Sequence, residues 1–174
     1  LAEMGITREY KNPVFPDHSI AVLEKMLDWA NNTKNPSTKK KRLAKCLSTS
    51  IMLHTGMRNK DVSQIKIKSL TQEGNLIKLS PEVRKGKVSS TQMIKGFMEA
   101  TKNPKLKHID PITILNQIKN LGDINKENYI TNLTKKNEKS CERNRIFATK
   151  AEELGIPNYM GHCMNAAMAM LLTA

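Results

Sequence analysis

His54-Thr55-Gly56-Met57-Arg58-Asn59-Lys60-Asp61-Val62 is the stretch around which the rest of the chain is organised. It sets a turn-forming Gly and an Arg between two helical patterns, with an acid three residues beyond the Arg. Gly56 can end the preceding helix by taking a left-handed conformation. Arg58 then opens the next helix, where free backbone N–H groups favour an anion. Asp61 falls on the same face and is spaced to hold the guanidinium. Spacing alone leaves two readings open: a phosphate-gripping Arg, or a surface Arg in a local ion pair.

Upstream, Asn12-Pro13 and Pro16 disfavour helix, so residues 1–16 read as an extended lead-in. Asp17 or Ser19 can cap a helix at about 19–33, with Ile20, Leu23, Met26, Leu27 and Ala30 on one face. Asn35-Pro36-Ser37 breaks it, and a second helix at about 37–55 opens on Lys39-Lys40-Lys41-Arg42. That run is a solvated face in most helices; beside DNA it becomes a set of phosphate contacts. Downstream of Gly56 a short helix is expected at about 59–66, then a turn at 71–75 and a strand at 76–79. Arg84-Lys85-Gly86-Lys87 looks like a hairpin tip, with a weakly written return from Val88. Helices are expected at about 90–101 and 111–120, the second opening on Asp110-Pro111. Residues 122–140 are polar, anchored by Tyr129, Ile130 and Leu133. Helices then cover about 142–154, stopped by Gly155-Ile156-Pro157, and 158–173. The order predicts a mainly α fold with a small antiparallel sheet, an α+β arrangement. It is not a βαβ alternation, and GxxxxGK[ST] does not occur, which excludes Rossmann and P-loop readings.

The chain has 174 residues, enough for one domain with a real core, and carries a net charge of +13. Such a charge implies a polyanionic partner, nucleic acid or an anionic membrane face. Lys, Asn and Ile richness can also reflect an AT-rich genome. The six Arg (Arg8, Arg42, Arg58, Arg84, Arg143 and Arg145) are more informative, because a guanidinium grips phosphate in a bidentate way that Lys cannot. Ten Met and few aromatics point to a core filled by flexible side chains. Cys46, Cys141 and Cys163 are odd in number and lack CxxC spacing, which argues for reduced thiols and against disulfides or zinc. No apolar run of membrane-spanning length and no signal segment occurs. Asn31-Asn32-Thr33 and Asn132-Leu133-Thr134 match the glycosylation sequon by chance. The abrupt start and stop suggest a piece of a longer protein.

Residues 47–70, from Leu47 through Thr55-Gly56-Met57-Arg58 and Asp61 to Leu70, resemble the first box of the tyrosine recombinases, the phage-integrase family. That box has an apolar helix, Thr-Gly-Leu-Arg, two residues and an acid, then a Leu-rich continuation. The Asn12-Pro13-Val14 lead-in and the 19–33 helix resemble the linker and first helix of the family's catalytic domain. The resemblance therefore implies a lead-in over 1–16 and a catalytic domain over 17–174, incomplete towards its C-terminus. It makes Lys85, in a Lys-x-Lys hairpin tip, the candidate catalytic Lys, with Lys87 second and Arg84 a further DNA contact. The family's second box is His-x-x-Arg before a helix that Phe147-Ala148-Thr149 to Gly155-Ile156 resembles. Counted back from Phe147, the Arg position falls on Asn144, flanked by Arg143 and Arg145, and the His position on Cys141. Of the two flanking Arg, Arg143 is slightly favoured, since Ser140 then takes the His place, with Arg145 close behind. Met160-Gly161-His162 is similar to the third box, although its gap from Gly155 is short. The nucleophilic Tyr should follow His162 by about nine residues, where Leu171 stands. Tyr159 precedes the His, and Tyr10 and Tyr129 are better explained by packing. Omitted residues, a replaced Tyr, or a fold that only binds DNA would each account for this.

The resemblance implies DNA strand exchange without metal or cofactor. A Tyr attacks the scissile phosphate to leave a 3′-phosphotyrosyl link, which the free 5′-OH later reverses. Arg58 and Arg143 or Arg145 would stabilise the phosphorane-like transition state; losing one such cation costs about 3–4 kcal/mol. Lys85 would protonate the leaving 5′-oxygen, and His162 would bind the phosphate or assist proton transfer. The expected partner is double-stranded DNA, contacted also by Lys39, Lys40, Lys41, Arg42, Arg84 and Lys87, with a homo-oligomer (a tetramer) assembled on it. No membrane or small-molecule partner is expected, and the location would be cytoplasmic or nucleoid-associated, or nuclear in a eukaryote. The rival classes are a DNA-binding domain without catalysis and a charge-driven RNA or membrane-surface binder.

Overall fold

The computed structural model describes residues 16–74, 76–80, 92–95, 104–136 and 140–159. The lead-in, the tip with Arg84, Lys85 and Lys87, and the last segment with His162 and Leu171 lie outside the described residues. α1 (Pro16–Asn31), α2 (Pro36–Thr55) and a single turn α3 (Asn59–Val62) come first. A 3₁₀ turn (Ile67–Ser69) leads into β1 (Leu70–Glu73), β2 (Leu76–Leu79) and β3 (Gln92–Lys95). A second 3₁₀ segment (Pro104–Ile109) precedes α4 (Pro111–Asn120) and α5 (Ser140–Glu153). The architecture is mainly helical with a three-stranded antiparallel sheet in the order β1-β2-β3.

Helix α2 is the hub. It packs on α1 along one side and α4 along another, and also meets α3 and β3. Asn35 caps it, its Oδ1 accepting from Ser37 N at 3.0 Å and Thr38 N at 3.3 Å, with Pro36 at the first helical position. From Leu43 onwards nearly every residue is buried, including the run Cys46 to Leu53. A helix buried on all sides would normally be apolar all round. Here the hydroxyls inside it are satisfied locally, Ser48 Oγ donating to Ala44 O at 2.9 Å and Thr49 Oγ1 to Lys45 O at 2.8 Å. Ser50 Oγ instead donates to Ile109 O at 2.6 Å, tying the hub to the 3₁₀ segment before α4. Leu23, Met26, Leu47, Ile51, Ile114 and Phe147 close the core around it.

The expected caps of α4 and α5 hold. Asp110 Oδ1 accepts from Ile112 N at 2.9 Å. Gly155 (φ 74) ends α5, with Ile156 N donating to Ala151 O at 2.8 Å and Gly155 N to Glu152 O at 3.0 Å, a Schellman arrangement. α1, by contrast, begins earlier than expected, at Pro16. Ser19 is therefore not its cap but a buried residue whose Oγ lies 2.7 Å from Tyr159 Oη.

Three expectations are corrected. The turn expected over 71–75 is instead strand β1 to Glu73, paired Leu70↔Leu79 to Glu73↔Leu76, and turns only from Gly74 (φ 59). The helix expected over 90–101 is a strand at 92–95, paired Leu76↔Lys95 to Leu79↔Gln92. So short a run has no decisive period, and the open edge of β2 needs a hydrogen-bonding partner. The helix expected over 59–66 stops at Val62. Beyond it the chain is drawn out against the 128–130 loop, through the Lys66–Tyr129 bridge and Ile130 N to Ile65 O at 3.0 Å.

Gly56 ends α2 at φ 76, its N–H donating to Met52 O at 2.8 Å. Gly56→Ala should lower unfolding stability by about 1 kcal/mol, the cost of a Cβ in the left-handed region. Urea denaturation of both proteins measures this, with an unchanged m-value expected.

Candidate nucleic-acid interface

The left-handed turn at Gly56 releases the chain from the hub and delivers it to Arg58. Met57 N donates to Thr55 Oγ1 at 3.2 Å, holding the exit. Arg58 has extended backbone (φ −69, ψ 149) and caps α3, its carbonyl accepting from Asp61 N at 3.0 Å and Val62 N at 3.1 Å. Its side chain is exposed. Asp61 is exposed as well, and among the described residues no ion pair joins the two. The i,i+3 pairing assumed both residues to be helical; a cap residue with extended ψ aims its side chain elsewhere. Nor does a four-residue helix supply the N-terminal anion site expected of an eight-residue one, so Arg58's own charge is what remains.

The two arginines of α5 separate sharply. Arg143 is 0% exposed. Its Nη2 donates to Asn59 O at 2.7 Å, to Ser63 Oγ at 2.8 Å and to Asn59 Oδ1. Arg145 is exposed, its carbonyl accepting from Thr149 Oγ1 at 2.9 Å. Between them Asn144 is half-buried, and its Oδ1 accepts from Asn59 Nδ2 at 2.8 Å. Asn59 follows Arg58 directly, so α5 is bonded to the residue beside the candidate phosphate grip. Sequence reading missed Asn59 and Ser63. The available signal was their i,i+4 spacing around the inward Val62, which puts two small polar side chains on one face of a helix edge.

The basic run of α2 divides. Arg42 Nη1 donates to Trp29 O at 2.8 Å, and its guanidinium lies 4.7 Å from the Trp29 ring centroid. Lys40 Nζ donates to Asp123 O at 3.2 Å. Lys41 is exposed and Lys39 half-exposed, and Lys60 is a further exposed cation two residues from Arg58.

Two tyrosines are among the described residues, one buried and one half-buried. Tyr159 is 7% exposed and hydrogen-bonded to Ser19. Tyr129 carries Lys66 Nζ over its ring at 5.5 Å. Burial pushes the Cys46 thiol well above its ordinary range, so it stays protonated and unreactive. Among the described residues no group of His, Cys, Asp and Glu is arranged to hold a metal. No helix among them is long and apolar enough to cross a membrane.

Comparison with solved structures places this arrangement. The XerH site-specific recombinase bound to its difH substrate, in a pre-cleavage complex, matches at TM-score 0.57 and 20% identity over 87% of this chain. Its post-cleavage complex on a palindromic difH substrate matches at TM-score 0.54 and 21% identity, again over 87%. The fold is that of a tyrosine recombinase catalytic domain. The chain spans 40% of the length of these recombinases. No family model and no curated protein matches the sequence.

Burial predicts opposite fates for the two arginines. Arg143→Ala leaves a cavity and removes the buried guanidinium donor from Asn59 and Ser63, and should cost about 2–4 kcal/mol. Arg145→Ala, at an exposed position, should stay within about 0.5 kcal/mol of the parent. Chemical denaturation of the pair tests this; equal effects would contradict the assignment.

His54, one turn before Arg58, is titrated down to about 4 by burial. An unfolded His titrates near 6.5, so between these values the unfolded chain binds the extra proton and the folded one does not. The stability that His54 contributes is therefore present above about pH 6.5 and is lost as pH falls towards 4. Between pH 7 and pH 5 that loss should amount to about 1–2 kcal/mol. His54→Gln should show a shallower decline over the same range in parallel denaturation curves.

Proposed function

We propose that the chain is the phosphate-gripping, catalytic-type domain of a site-specific DNA recombinase, acting on double-stranded DNA within a homo-oligomer. The observation that carries the reading is Arg58. It is exposed, charged and held by the Gly56 turn at the edge of a recombinase fold, with α5 fastened beside it through Asn59. The net charge of +13 suits a partner that is itself a polyanion. In this reading the reaction is strand exchange through a 3′-phosphotyrosyl intermediate. Arg58 stabilises the charge that develops on the phosphate, Arg145 supplies a second exposed cation, Lys85 protonates the 5′-oxygen and His162 contacts the phosphate. Lys39, Lys41, Arg84 and Lys87 add contacts to the backbone.

A second reading, a recombinase-fold domain that binds DNA without cutting it, is favoured by Arg143, which is enclosed by α3 and so takes one of the two candidate second arginines away from a phosphate.

Covalent trapping on a nicked duplex separates the two readings. A protein–DNA adduct supports cleavage, whereas intact binding with no adduct supports the second. Arg58→Ala should weaken duplex binding in either case and reduce the slope of log K against log salt by about one, as expected for the loss of one phosphate-neutralising cation. An Arg58→Ala protein with wild-type affinity and slope would reject both.

A further inference from the structure

The hydrogen-bond chain from Arg143 to Asn144 has a fixed direction. A guanidinium carries donors only, so the Asn59 amide must turn its oxygen towards Arg143. Its Nδ2 group then faces the other way and donates to Asn144 Oδ1 at 2.8 Å. With its oxygen engaged by Asn59, Asn144 has Nδ2 left to donate, and among the described residues that nitrogen has no protein partner. Asn144 is half-buried, whereas Arg143 is 0% exposed. A buried positive charge therefore sets the orientation of two amides in series and polarises them, each donor being strengthened by the one behind it. The series ends in an N–H pair on the residue bonded to the neighbour of exposed Arg58.

We propose that Asn144 is a phosphate-contacting residue, a neutral donor completing the Arg58 site, and that Arg143 is a positioning residue acting on it through Asn59. The proposal rests on the DNA-phosphate reading above and deepens it: α5 reaches the phosphate through the amide between its two arginines. Arg143 does not touch DNA.

Anisotropy titrations of a labelled DNA duplex at stepped salt, with melting curves for each variant, test it. Asn144→Ala should bind about tenfold more weakly, the loss of one hydrogen bond to a charged group. Because a neutral donor displaces no counterion, its salt slope should equal the parent's, unlike that of Arg58→Ala. Asn144→Asp has the same shape and still accepts from Asn59, but turns a carboxylate oxygen towards the phosphate; it should bind more weakly than Asn144→Ala. Asn59→Ala should reproduce the Asn144→Ala loss, and the double variant should add little to it, a coupling that a merely structural role would not produce. Wild-type affinity in folded Asn144→Asp, or a slope reduced by about one in Asn144→Ala, would overturn the proposal while leaving the DNA reading intact if Arg58→Ala still weakens binding. No binding by the wild-type chain, or no effect of Arg58→Ala, would instead remove that reading and the proposal with it.

Discussion

One guanidinium nitrogen decides how the candidate site is built. Nη2 of Arg143 reaches the backbone oxygen of Asn59, its amide oxygen and the hydroxyl of Ser63. These acceptors span one turn of chain just after Arg58, so a single charged group on α5 fixes both the ends and the roll of α3. Nothing in α3 itself could do that. A four-residue helix has too few internal hydrogen bonds to stand alone, and helix nucleation is unfavourable until tertiary contacts offset it. The charge must be wholly removed from water to serve, and hydrogen bonding within the α3–α5 seam offsets that loss.

The hub helix makes this seam possible. α2 is buried through its second half and ends abruptly at a left-handed Gly56, so Arg58 emerges at a fixed point relative to the core. Hydroxyls within α2 are satisfied by carbonyls four residues back, which lets polar Ser48 and Thr49 sit where a leucine is expected without leaving an unpaired group. On the other side, α1 meets α5, and Tyr159 closes the end of that contact on Ser19. Both helices that carry the site are thereby referred to the same core.

The parts legible in the sequence were those with local causes. Gly56 announced the end of α2, Asp110-Pro111 the start of α4, and Gly155 the end of α5, because caps and left-handed turns are decided by a few neighbouring residues. β3 was not legible. Gln92-Met93-Ile94-Lys95 has no period that separates strand from helix, and its state is set by the open edge of β2 some fifteen residues away. The roles of Arg143 and Arg145 were equally hidden. Glu142-Arg143-Asn144-Arg145 is polar throughout, so its pattern does not reveal which side faces the core. The buried side proved to be the one carrying Arg143, because acceptors on α3 were waiting for it.

That placement bears on what such a site can do. A buried cation can orient donors, but its field at a phosphate outside is weakened by every ångström and by the solvent between. A neutral amide donor gains less than a guanidinium as negative charge develops on a phosphate, although a preorganised amide still contributes to a transition state. An amide offered by α5 beside Arg58 would add to the hold on a phosphate, while the exposed cations would carry the larger share of any charge stabilisation. Fully charged groups gain most as charge develops, and Arg58, Lys60 and Arg145 are the cations exposed on these elements.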